Sequence, residues 1–186
     1  MDQQLQRART AFVTGSSLLE AKARVDRVLS ALPADAEARV LRAEILLRME
    51  RFDEALLDAR EATRLAPSNG QAHLAVAEAA LRNGDARMAE LAMDRAASLV
   101  VDDAAAHIRL SRMARALDRD ERSVAFARIA VALDGQSAAA RYELARAFVF
   151  SGNLPAARSI VKAGLEEGLL SPEFVTSDSL LVQTLQ

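Results

Sequence analysis

The sequence contains no cysteine and no tryptophan. Without cysteine there is no disulfide framework, no thiolate nucleophile and no cysteine-ligated zinc. Aromatic residues make up only 4% of the 186 residues, and there are just 7 glycines and 4 prolines. Strand formers are therefore scarce. Neither sign of charge dominates: 24 Lys+Arg stand against 26 Asp+Glu, a formal net charge of -2. That balance excludes the non-specific nucleic-acid binding that counterion release drives. No apolar run reaches the roughly 18 residues of a membrane span, and even the stretch Ala72–Leu81 carries a charge. The opening MDQQLQRART lacks the basic stretch and apolar run of a secretory signal. The expectation is a soluble protein, cytoplasmic by default, without excluding an exported parent. What the chain does have is alanine, 40 residues of it. Alanine is the best helix former, so the composition points to an all-α fold.

Helical signals run the whole length and are punctuated by short turns. Gly15-Ser16, Pro33-Ala34-Asp35, Pro67-Ser68-Asn69-Gly70, Asn83-Gly84-Asp85, Asp134-Gly135 and Ser151-Gly152-Asn153 mark them. Glycine and asparagine tolerate positive φ and proline cannot continue a helix, so these are helix stops. The spacing leaves helices of about 12–15 residues, which such short turns must join as antiparallel pairs. Self-alignment gives a period of 34 residues, with units starting at Asp2, Ala36, Gly70, Ala104 and Ala138 and no insertion between them. The eighth residue of each unit is Arg9, Ala43, Ala77, Ser111 or Ala145, and the twentieth is Ala21, Ala55, Ala89, Ser123 or Ala157. The twenty-seventh is Val28, Ala62, Ala96, Ala130 or Gly164. Small side chains recur where helix axes come close. Large apolar ones recur at the eleventh position (Phe12, Leu46, Phe148) and the thirtieth (Leu65, Leu99, Leu133).

This pattern resembles the tetratricopeptide repeat, a helix–turn–helix unit. The stretch Ala36–Asn69 matches best, with Ala43, Leu46, Phe52-Asp53-Glu54-Ala55, Ala62 and Pro67 in place. The family's usual early tryptophan is replaced by Leu5, Arg39, His73, His107 and Arg141, and the late proline survives only as Pro33 and Pro67. The resemblance implies an α-solenoid of antiparallel helix pairs, wound as a right-handed superhelix with the first helix of each unit lining the concave side. The expected units are 2–35, 36–69, 70–103, 104–137 and 138–171, with 172–186 as a C-terminal capping segment. Each hairpin would bury its apolar face against its neighbours. Polar Asp2-Gln3-Gln4 and Gln6-Arg7 suit one end of the array. At the other, Ser171-Pro172-Glu173 reads as a helix start and Asp178 as the cap of Leu180-Leu181-Val182.

The inventory for catalysis is thin. His73 and His107, the only histidines, occupy the same place in adjacent units. Equivalent helices stack about 8–10 Å apart, too far for two rings to share one zinc. Nucleophile-elbow, zinc-protease and phosphate-loop patterns are missing. Asp102-Asp103 and Glu166-Glu167 fall at helix junctions, where capping and solvation account for them. The reading is a protein that is not an enzyme and uses no metal or cofactor.

Arginine outnumbers lysine 22 to 2. Most such side chains pair with nearby acids on solvated faces. The first helix of the fourth unit is different: Arg109, Arg112 and Arg115 lie within it and no acid does. Arg112 and Arg115 share a face with Ile108. One unit on, Arg146 has Tyr142, Val149 and Phe150 along the same face. Upstream, the corresponding faces offer Glu44 and Leu47, then Glu78 and Leu81. The family resemblance turns these faces into the groove, so the expectation is a groove acidic and aliphatic toward its amino end, basic and aromatic toward its carboxyl end. It would hold a segment of a partner protein, with acidic residues or a free carboxylate near Arg112, Arg115 and Arg146. The alternative for this patch is that Phe174–Leu185 folds back over Tyr142 and Phe150. Eukaryotic chaperone adaptors of the family hold a terminal carboxylate with other residues; here Val40, Glu44, Leu74, Glu78, Ala105 and Ala139 stand in those places and only Arg109 fits. The competing roles are a self-associating assembly element, hence a homo-oligomer, and the regulatory part of a longer protein.

Overall fold

The computed structural model describes residues 2–14, 17–182 and 184. Among them there are twelve helices and no strand. They are α1 (Asp2–Val13), α2 (Leu18–Ala31), α3 (Ala36–Arg48), α4 (Phe52–Leu65), α5 (Gly70–Arg82), α6 (Ala86–Ala97), α7 (Ala104–Ala116), α8 (Asp120–Leu133), α9 (Ala138–Phe150), α10 (Leu154–Glu166), α11 (Pro172–Ser177) and α12 (Ser179–Val182). The expected Gly15-Ser16 turn lies outside the described residues. From α1 to α9 the odd-numbered helices start at Asp2, Ala36, Gly70, Ala104 and Ala138, where the period puts the unit starts.

Two local devices recur with the period. The last residue of each unit caps the next helix: Asp35, Asn69, Asp103 and Ser137 accept hydrogen bonds from the amides of Ala38, Ala72, Ala106 and Ala140. Each such cap stabilises its helix by about 1 kcal/mol. The turns inside the four hairpins from α3 to α10 place the fifteenth residue in the left-handed region: Glu50 at φ 59, Gly84 at 79, Asp118 at 57 and Gly152 at 74. The next amide then returns to the helix, as from Arg51 to the Leu46 carbonyl at 2.9 Å, satisfying a terminal carbonyl.

Burial follows the same register. Ala43, Ala77, Ser111 and Ala145 at the eighth position, and Ala21, Ala55, Ala89, Ser123 and Ala157 at the twentieth, are all 0% exposed. Arg9 is the exception; it is exposed and the neighbouring Ala8 is buried instead. The thirtieth position is not core, with Leu65 and Leu99 half-buried and Leu133 exposed. It closes or follows the second helix of each hairpin, where the chain turns outward.

The chain divides into two compact units, Met1–Leu99 and Val100–Gln186. In the first, α3 packs against α1, α2, α4 and α5. A charged staple spans this stack. The buried Asp58 on α4 receives Arg42 as a fork, through Nε at 2.5 Å and Nη2 at 2.7 Å, and Arg39 at 3.1 Å. Arg42 also reaches Asp26 on α2 at 3.1 Å, and Lys22 meets Asp26 at 2.8 Å. Burial raises the Asp26 carboxyl pKa, but Lys22 and Arg42 outweigh it and hold the group below its ordinary value.

In the second unit, α9 packs against α7, α8, α10 and the short α12. Val175 and Leu181 of the terminal segment, with Leu170 just before it, join Ala145 and Val161 in one buried cluster.

Candidate functional site

Within Met1–Leu99 the anticipated site residues separate by depth. Glu44 lines an open cleft of about 460 Å³, whose walls include Arg9, Phe12, Glu37, Val40 and Gln71. Leu47 is only 8% exposed and packs with Leu46, Ala55 and Ala79 in the core rather than on the cleft wall. Glu78 and Leu81 on α5 are half-buried.

Within Val100–Gln186 the anticipated residues come together on α7 and α9. Their arrangement depends on a residue not anticipated, Glu143. Its side chain is 0% exposed. It accepts from Arg112 Nε at 2.9 Å, Arg115 Nη1 at 2.5 Å and the Ser111 hydroxyl at 3.2 Å. Ser111 in turn lies 3.0 Å from the Ser123 hydroxyl. A buried carboxylate is tolerated only when paired and hydrogen-bonded, and Arg112, Arg115 and Ser111 meet that condition here. The signal was present in the sequence. Positions eight and twenty are alanine in the second, third and fifth units but serine in the fourth, and Glu143 stands where the second and third units have Leu41 and Ala75.

Glu143 thus holds two guanidiniums in place. Arg115, 14% exposed, lies 4.9 Å above the Phe150 ring, while Arg112 remains 52% exposed. Ile108, at 8% exposure, is buried with Ala130 and Ala140. On α9, Arg146 lies 5.5 Å from the Tyr142 ring and 6.0 Å from that of Phe150. Val149 beside them is half-buried and Phe150 is 42% exposed.

The terminal segment lies on this surface. Phe174 packs on Tyr142 with centroids 4.8 Å apart and planes tilted by 57°. The Tyr142 hydroxyl donates to Asp178 Oδ2 at 2.6 Å, and Arg146 Nε stands 3.5 Å from the same oxygen. Burial raises the Asp178 pKa, yet the Tyr142 hydroxyl, the Leu180 and Leu181 amides and the Arg146 charge together hold it below its ordinary value. Burial and the bond to Asp178 raise the Tyr142 pKa.

The histidines are accounted for locally. His107 is buried, with Nδ1 2.9 Å from the Asp103 carbonyl oxygen and its ring against Phe126; His73 Nε2 lies 3.0 Å from the Pro67 carbonyl oxygen. Asp103 caps α7 and Glu167 pairs with Arg141 at 2.6 Å. Among the described residues no helix is long and apolar enough to cross a membrane.

No protein-family model matches the chain, and no curated protein matches it. Solved structures do. TTC0263, a thermophilic tetratricopeptide-repeat protein of Thermus thermophilus, superposes with a TM-score of 0.80 at 18% identity, covering 99% of this chain and 98% of that one. PilW, a type IV pilus biogenesis factor, also gives 0.80 at 18% identity, covering 99% and 85%. YrrB, a tetratricopeptide-repeat protein with an unusual peptide-binding site, gives 0.64 at 15% identity, covering 98% and 90%. The chain has the tetratricopeptide-repeat fold, an α-solenoid of antiparallel helix pairs.

Proposed function

We propose that this protein is a non-catalytic adaptor that binds a peptide segment of a partner protein, and that Ile108, Arg112, Arg115, Tyr142, Arg146, Val149 and Phe150 form the contact surface. On this reading the chain comprises five repeats, 2–35 to 138–171, with 172–186 as a cap, working in the cytoplasm without a cofactor. One observation carries the proposal: three guanidiniums and two aromatic rings crowd one face of α7 and α9, with Arg112 half-exposed and locked by a carboxylate beneath it. Guanidiniums bind carboxylates as forks, and a pre-positioned fork loses little entropy on binding. The ligand is therefore a peptide bearing acidic residues or a free carboxyl end. YrrB, with its peptide-binding site, lends the reading support by analogy. The acidic-aliphatic face with Glu44, Leu47, Glu78 and Leu81 is proposed as a separate contact surface within Met1–Leu99.

The test is titration of a labelled acidic peptide into wild type and an Arg112→Gln, Arg146→Gln variant. Each lost charge-assisted contact should weaken binding about tenfold. Equal affinity in both proteins removes this surface from the proposal.

Self-association is the second reading, favoured by Phe150 and Phe174, which remain 42% and 45% exposed side by side with charged residues. Light scattering over a concentration series decides it: a dimer in which the peptide no longer binds would replace the adaptor reading.

A further inference from the structure

The terminal segment begins in step with the repeats. Ser171 occupies the capping position and accepts from the Phe174 amide at 3.1 Å, so Pro172 stands where a sixth first helix would start. The helix stops at Ser177, and Asp178 turns the chain into α12.

Two sets of side chains in this segment do different things. Val175 and Leu181, both 0% exposed, anchor it in the apolar cluster beneath. An array end needs no more than that to be covered. Phe174 and Asp178 do something else: they engage Tyr142 and Arg146, the aromatic and basic residues of the candidate site. The fit is incomplete. Among the described residues Arg146 Nε is buried without a hydrogen-bond acceptor, the Asp178 carboxylate oxygen standing 3.5 Å away. Asp178 cannot turn to offer a fork, because Oδ1 accepts from the Leu180 amide at 2.9 Å as the cap of α12. A tethered ligand tolerates such a compromise, since its effective concentration is on the order of millimolar. A carboxylate from another chain carries no such constraint.

We propose that Phe174 and Asp178 are a resident ligand, and that the Tyr142–Arg146 surface recognises a peptide with an aromatic residue followed four residues later by a carboxylate, which binds by displacing them. The inference rests on the peptide-binding reading above and adds to it the ligand's chemistry and a gate. The closed segment lowers the apparent affinity of wild type by the fraction of molecules that are open.

The probe is a fluorescein-labelled peptide with the sequence of residues 171–182, SPEFVTSDSLLV. It is titrated into the full chain and into a Phe174→Ala, Asp178→Asn variant, each checked for helical circular dichroism. The variant should bind about tenfold or more tightly, as expected when a competing tethered ligand is weakened. Adding Arg146→Gln to the variant should remove the gain, and a probe carrying alanine for Phe174 and asparagine for Asp178 should bind neither protein. Equal affinity for wild type and variant overturns the gate but leaves peptide binding standing. No binding to either folded protein overturns both. Should the double variant lose helicity, Asp178→Asn alone carries the comparison. Hydrogen exchange gives an independent readout: the probe should speed exchange in α11 and α12 of wild type, and unchanged exchange overturns displacement.

Discussion

The two compact units each contain a cluster of three cations and two carboxylates, and they use it in different ways. In Met1–Leu99 the carboxylates are Asp26 on α2 and Asp58 on α4, both on long helices, and Lys22, Arg39 and Arg42 close around them. Everything in that cluster is held by elements that cannot leave without unfolding the unit. In Val100–Gln186, Arg112 and Arg115 face Glu143 on the 13-residue α9, but Arg146 faces Asp178, between helices of 6 and 4 residues. Short helices owe their order to docking rather than to their own hydrogen bonds. The same ionic inventory is thus a staple in one unit, and in the other half staple, half detachable contact. What separates the roles is the stability of the element that carries the anion, not the number of charges.

Removing a core anion should break the comparison most severely. Glu143→Ala leaves Arg112, Arg115 and Ser111 without their shared acceptor, and truncating one member of a buried pair costs about 3–5 kcal/mol. Urea denaturation, with hydrogen exchange to locate the loss in α7–α9, measures it. A variant combining Glu143→Leu with Arg115→Leu, Ser111→Ala and Ser123→Ala should recover most of that loss, since it replaces the whole pair and restores the apolar pattern of the second and third repeats. No recovery would mean that Glu143 supports the fold by some route other than satisfying its own partners. Asp58→Ala should cost about 3 kcal/mol, the lower end of the same range because Asp26 still receives Arg42. Its effect should be confined to α2–α4.

Packing gives the next effect. Ala89 is 0% exposed in α6, so Ala89→Leu should cost about 1–3 kcal/mol through overpacking. Ala36 is half-buried and makes a poor control. The exposed Ala23 on α2 should accept leucine within about 0.5 kcal/mol. Equal melting temperatures for the two leucine variants would contradict the helix contacts described. Smaller still, Glu50→Gly and Asp118→Gly, one in each unit, relieve a left-handed residue at φ 59 and 57. Each should gain about 0.5–1 kcal/mol, the left-handed penalty less the entropy cost of glycine.

How much of this could be read from the residues follows the same division. The helix starts, the alanine contacts and the in-step start of α11 were legible because a period repeated without insertion makes small residues stand out against large ones. Arg112 and Arg115 were legible because no acid lies in their helix, and Arg146 because it follows one repeat on beside Tyr142, Val149 and Phe150. Glu143 was not, because a lone glutamate in a helix reads as solvated; only the paired serines at positions 111 and 123 betray it. Asp178 was read as a helix cap and it is one, through the Leu180 amide at 2.9 Å. That correct role concealed its second oxygen, which serves Tyr142. A carboxylate has two faces, and sequence patterns assign only the local one.

The mildest test leaves every side chain in place and changes only protonation. Asp178 titrates below its ordinary 3.8 when docked, so its contribution is complete above that pH and is lost as pH falls through the lowered value. Tyr142 titrates above its ordinary 10.0, so the hydroxyl donor persists up to that pH and is lost as pH rises through the raised value. Docking of α11 and α12 should therefore be flat between these limits and loosen outside them, read as faster fluorescence anisotropy decay of a label on the terminal segment. The acid edge cannot by itself distinguish the units, since Asp26 is lowered in the same direction by Lys22 and Arg42 against the penalty of burial. The alkaline edge can, because Tyr142 is the only tyrosine in the chain. A loosening above pH 10 that Tyr142→Phe abolishes ties the segment to this hydroxyl. Loosening that persists in Tyr142→Phe would mean that Phe174 and the buried anchors alone hold the segment, and that Asp178 is a helix cap and nothing more.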